Sequence, residues 1–74
     1  MGPYLTRRAH VMDRIVRDEL GDGLVDVVLR LRDSGLSTRE VAVQLHEVTG
    51  FRVTHETVRG WELEWRAYLA GDAA

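Results

Sequence analysis

Four stretches with helical apolar spacing, each stopped by glycine, set the limits on this fold. In "YLTRRAHVMDRIVRDEL", Leu5, Ala9, Met12, Val16 and Leu20 recur at helical intervals, with Ile15 beside them. Pro3 suits the start of this helix, and Gly21-Asp22-Gly23 is a strong stop and turn. A second helix follows in "LVDVVLRLRDSG", where Leu24, Val27, Val28 and Leu31 form one stripe and Val25 and Leu29 turn toward another face. A short helix apolar on most sides is buried on most sides, so this segment is expected at the centre of the core, with Gly35 as its C-terminal cap. The reading is an all-α fold of four helices, forming one domain over residues 1–74.

The third helix carries the clearest start signal. Ser37-Thr38-Arg39-Glu40 is a capping box, in which the serine caps and the glutamate three residues later reaches back. Val41, Ala42, Leu45 and Val48 give the inward stripe, and Gly50 ends it. A fourth helix begins near Thr54, which can cap the free N–H groups of its first turn. Stepping about 100° per residue from there, Val58, Trp61, Trp65, Tyr68 and Leu69 gather on an inward side. His55, Glu56, Arg59, Gly60, Leu63 and Arg66 gather on the outer side. The helix fades at Gly71, and Asp72-Ala73-Ala74 reads as a frayed end.

The order of these last two elements, "LSTREVAVQLHEVTGFRVTHETVRGW", resembles the helix-turn-helix of bacterial and phage regulators, transposases and site-specific recombinases. The residues that carry the likeness are Ser37 at the first cap, Glu40-Val41-Ala42 and Leu45, then Val53-Thr54, Thr57-Val58 and Trp61. It covers about residues 36–66. The connection departs from the short form, which has three or four turn residues, because "HEVTGFRV" adds residues around Gly50, as in transposase-like members. The resemblance implies sequence-specific binding of double-stranded DNA by a small repressor-like regulator, or by the DNA-binding module of a larger mobile-element protein. The outer face of the second helix enters the major groove in that family.

That implication gives roles to individual residues. Gly60 is costly inside a helix, by about 1 kcal/mol relative to alanine. On the outer face it lets the backbone approach DNA, while Trp61 turns inward as an anchor; a neutral accident or a kink is the bland alternative. Arg59 suits guanine O6 and N7, or is a solvated arginine. His55 suits a base or a phosphate, or is simply a polar residue of the first turn, and Glu56 suits cytosine N4 or the positive helix end. Arg39 and Arg52, near helix starts, suit backbone phosphates; local pairing with an acid is the alternative for Arg39. Thr54 is a cap first, with phosphate contact secondary. Trp61 and Trp65 share a face and read as core rather than as a stacking platform.

Charge bears on partners in two directions. The formal net charge of -2 disfavours nucleic acid mildly. Yet all ten basic residues are arginine, the residue suited to bidentate contacts with phosphate and guanine; GC-rich codons give the same bias. The acidity, with Glu56, Glu62 and Glu64 on the fourth helix, supports a rival class, a protein-interaction or assembly adaptor module. A chain of 74 residues without cysteine has no disulfide or thiolate-held zinc to stabilise it. A homodimer is therefore expected, with the first helix completing the core or forming the dimer rather than reading DNA. Absence of cysteine suits a reducing cytoplasm, and no apolar run approaches the roughly 20 residues of a membrane span. His10, His46 and His55 are scattered, Gly21-Asp22-Gly23 lacks the lysine and hydroxyl residue of a phosphate loop, and both serines serve helix ends. Neither an enzyme nor a metal or other cofactor is expected.

Overall fold

The computed structural model describes residues 3–71. Four helices follow in order: α1 (Arg7–Leu20), α2 (Leu24–Asp33), α3 (Thr38–Thr49) and α4 (His55–Leu69). No helix among the described residues is long and apolar enough to cross a membrane. Asp72, Ala73 and Ala74, expected to fray, lie outside the described residues.

Local chemistry explains most of the boundaries. The Ser37 hydroxyl accepts the Glu40 N–H at 3.1 Å, and the Glu40 carboxylate accepts the Ser37 N–H at 2.8 Å, which completes the capping box of α3. The Thr54 hydroxyl accepts the Thr57 N–H at 3.1 Å and so starts α4. At the other end of α3, Gly50 adopts φ 78°, a left-handed conformation that costs a residue with a Cβ energy, and its N–H closes on the His46 carbonyl. The first helix departs from expectation. It begins at Arg7, capped by the Thr6 hydroxyl, and not near Pro3. A side-chain acceptor for orphan N–H groups decides a helix start more firmly than proline's fixed φ does.

The core draws Ala9, Met12 and Val16 from α1, Leu24, Val27, Val28 and Leu29 from α2, Val41, Ala42 and Leu45 from α3, and Val58 and Trp65 from α4. Both α2 and α3 pack against every other helix, whereas α1 and α4 do not pack against each other. The central place expected for α2 is observed, although Leu29 is buried and Leu31 only half-buried. Leu20, Tyr68 and Leu69, assigned inward by periodicity, are exposed. Each lies in the last turn of its helix.

Two polar arrangements fix the packing. Asp13, buried on α1, accepts the N–H of Leu24 at 2.8 Å and the Nε–H of its neighbour Arg17 at 2.9 Å. On the other side, Glu62 of α4 accepts from Arg32 of α2 at 2.9 Å and from Arg66 at 3.0 Å, and Arg66 reaches Asp33 at 2.7 Å. Arg32 also donates to the Leu36 carbonyl at 2.7 Å. This chain of charges ties the end of α2 to the middle of α4.

Candidate nucleic-acid interface

The surface in question is built by α3, the connection 50–54 and the first half of α4. Helix α4 is held inward by Val58 and Trp65, both fully buried, and by half-buried Trp61. The indole rings of Trp61 and Trp65 stack with centroids 5.1 Å apart. Burying that face turns Glu56, Arg59, Gly60 and Leu63 to solvent along one stripe, as the phase of the sequence required. Trp65, at 1% exposure, is the deep anchor, and Trp61 only supports it. Trp61 was expected to be the anchor. Helical periodicity gives both tryptophans the same direction and no depth, and Trp65 is the one that is fully enclosed.

The candidate residues fall into two groups. Arg52, Thr54, His55, Glu56, Arg59 and Gly60 are contiguous along the connection and the first turns of α4; His55 is half-buried and the other five are exposed. Arg39 stands apart on the first turn of α3, beside a shallow groove lined by Leu36, Glu40, Val43, Gln44 and Glu47. Among the described residues, no hydrogen bond or ion pair joins Arg39 to the others. Thr54 is committed to its cap, and its hydroxyl also lies 3.1 Å from that of Thr57. A Cβ built on Gly60 meets nothing within 4 Å, so the glycine answers no crowding inside the chain.

The arginines sort by commitment. Arg17, Arg30, Arg32 and Arg66 form ion pairs with Asp13, Asp22, Glu62 and Asp33. Arg66 was placed by periodicity on the outer face, yet its side chain folds back onto Asp33 and Glu62. Those two carboxylates, Asp33 first, raise its pKa further and keep the charge in place. Arg39, Arg52 and Arg59 make no ion pair among the described residues, and neither do Arg7 and Arg14 on α1. Glu40 is held below the ordinary glutamate range by the Ser37 N–H and hydroxyl, so it stays charged beside Arg39.

One side chain at this surface escaped the sequence reading. Arg8 of α1 donates from Nη2 to the Arg52 carbonyl, and its guanidinium lies over the Phe51 ring, 5.6 Å from the centroid. A signal existed. Two arginines occupy the first turn of α1, where the helix macrodipole disfavours cations and no acid offsets them. No three His, Asp or Glu side chains converge as a metal site among the described residues. No protein-family model, curated protein or solved structure matches this chain, so what the surface can do is read from its own residues.

Proposed function

We propose that this chain binds double-stranded DNA as a small repressor-like regulator, with α3 and α4 acting as a helix-turn-helix and α4 entering the major groove. The observation that carries the reading is the sorting of the arginines. Those on the flanks of α2 and α4 are neutralised within the chain. Arg39, Arg52 and Arg59 carry no ion pair along the start of α3, the connection and the outer stripe of α4, and outside this surface only α1 keeps such arginines among the described residues. In this reading Arg59 reads a base edge, Arg39 and Arg52 hold phosphates, and Gly60 gives the helix backbone close approach. His55 and Glu56 sit at the helix entrance, where a base or a phosphate lies in reach. A second copy of the chain is the natural partner, because such modules read two half-sites about one DNA turn apart.

Selection from random duplexes, followed by titration of the selected sequence at two salt concentrations, tests this. Each neutralised phosphate contributes a log–log slope of about -0.9. Equal affinity at both concentrations, or no duplex retained, overturns the reading. The adaptor alternative has one observation in its favour: Leu63 is 65% exposed on the same outer stripe, and Val43 is exposed on α3. If no duplex is selected, Leu63 and Val43 are the two positions to test against protein partners.

A further inference from the structure

The first helix is the part of the chain that a helix-turn-helix reading leaves without a task beyond the core. Its contact with the connection 50–54 gives it one. Arg8 grips two successive residues of that connection, Phe51 through its ring and Arg52 through its carbonyl. Phe51 is itself packed against the core, and its N–H is accepted by the Thr49 hydroxyl at 3.1 Å. At the far end, Thr54 caps α4. Since α1 and α4 do not pack against each other, α1 meets the entrance of α4 through this connection, where the Arg8 grip adds to the packing of Phe51 and Val53 on the core. Arg8 holds a position that the macrodipole of its own helix disfavours, and what its guanidinium reaches accounts for that.

We propose that Arg8 is a positioning residue for DNA recognition: it braces the connection so that Arg52 and the first turn of α4 are presented in one fixed pose. The proposal rests on the DNA-binding reading above. Arg8 gives one N–H to the Arg52 carbonyl and one face to the Phe51 ring, so the task proposed for it is to hold the connection, and the salt dependence measured below separates that task from a phosphate contact. A planar guanidinium can stack on an aromatic ring and donate sideways at the same time, which an ammonium does not reproduce. Losing the brace should therefore blur which bases are read without removing a charge contact to the DNA backbone.

The test uses Arg8→Ala and Arg8→Lys in the full chain. Backbone 15N relaxation of residues 51–54 is measured without DNA. Order parameters should fall in both variants from the rigid range, about 0.85, toward the flexible range below about 0.6, with the melting temperature nearly unchanged. On the selected duplex, affinity should fall about tenfold in both, while affinity for random duplex and the log–log salt slope stay as in the parent. Unchanged order parameters overturn the proposal. So does a slope shallower by about one phosphate in Arg8→Ala, which would make Arg8 a backbone contact. Full recovery by Arg8→Lys overturns it too, since charge alone would then suffice. A parent chain that selects no duplex defeats the DNA reading by itself, and relaxation still decides whether Arg8 braces the connection.

Discussion

Asp13 on α1 accepts the main-chain N–H of Leu24 at 2.8 Å, so one helix caps the next from eleven residues away. Helix α2 has no side chain of its own for the task, because its cap position is Gly23. A side chain at Gly23 would crowd this pair, and Arg17 would have to move aside. A Cβ would fall 2.6 Å from Arg17 Nη2 and 3.0 Å from Asp13 Oδ1. Asp13→Ala leaves a buried N–H without its acceptor, which costs about 1–3 kcal/mol. Urea unfolding should show that loss, and a midpoint equal to the parent's would mean that the cap is dispensable.

Acid should expose the same cap. Burial pushes the Asp13 carboxyl up, but the Leu24 N–H and the Arg17 side chain outweigh it and hold it below the ordinary aspartate value. Glu62 is likewise held down, chiefly by Arg32. A folded-state pKa below the unfolded one contributes stability that is present above the unfolded value and lost as pH falls through the folded one. Melting temperature should therefore be flat near neutrality and drop from about pH 4 downward. In Asp13→Asn the drop should be shallower, because one of the titrating groups is gone; an identical acid limb would assign the effect elsewhere.

The two tryptophans should differ in weight. Truncating Trp65 to alanine empties a fully buried site and costs about 3–5 kcal/mol. Trp61→Ala, at a half-buried site, should cost clearly less and leave a folded chain. Near-UV circular dichroism with thermal melts separates them. Equal losses would mean that the stacked pair acts as one unit, rather than as an anchor and its support.

Glu62 joins α4 to α2 through Arg32, and Arg66 extends the link to Asp33. Glu62→Ala should cost about 1–2 kcal/mol, mostly by leaving Arg32 unpaired at a largely enclosed site. The share of Arg66, 42% exposed, is screened by solvent and small. A double-mutant cycle with Arg32→Ala measures the coupling directly, and a coupling near zero would remove this pair from the account of helix placement.

Gly60 and Arg59 separate folding from binding. With open space around its Cβ position, Gly60→Ala should raise stability by up to about 1 kcal/mol through helix propensity alone. Gly60→Leu should be at least as stable as the parent, yet bind the selected duplex more weakly by blocking approach. Arg59→Ala should leave the melt unchanged, cost about 1–3 kcal/mol of binding and relax preference at one base position. Full affinity and specificity in both Gly60→Leu and Arg59→Ala would take the outer stripe of α4 out of DNA contact.

The boundaries of α3 and α4 were legible because their signals are local. Ser37 with Glu40, Gly50 and Thr54 act within a few residues of themselves. The phase of α4 followed as well, since Val58 and Trp65 lie one face away from Arg59 and Gly60. What escaped were relations between residues far apart in the chain. Asp13 looks like a solvated acid on a helix face until Leu24 comes beside it, and Arg8 looks idle until Phe51 and Arg52 do. Periodicity also gives a direction and no depth. It set Trp61, Tyr68 and Leu69 on the inward side without saying that Trp61 is only half-buried and the other two exposed, and it set Arg66 outward although its long side chain folds back to Asp33.

The short connections carry a kinetic consequence. Residues 21–23, 34–37 and 50–54 are all that separate one helix from the next. Each helix meets its sequence neighbour by closing a small loop, which costs little entropy before packing repays it. Helical domains with such local pairing fold in microseconds to milliseconds. The same local wiring lets the native state be regained quickly after each opening, so brief excursions of α4 from its neighbours need not expose the core for long.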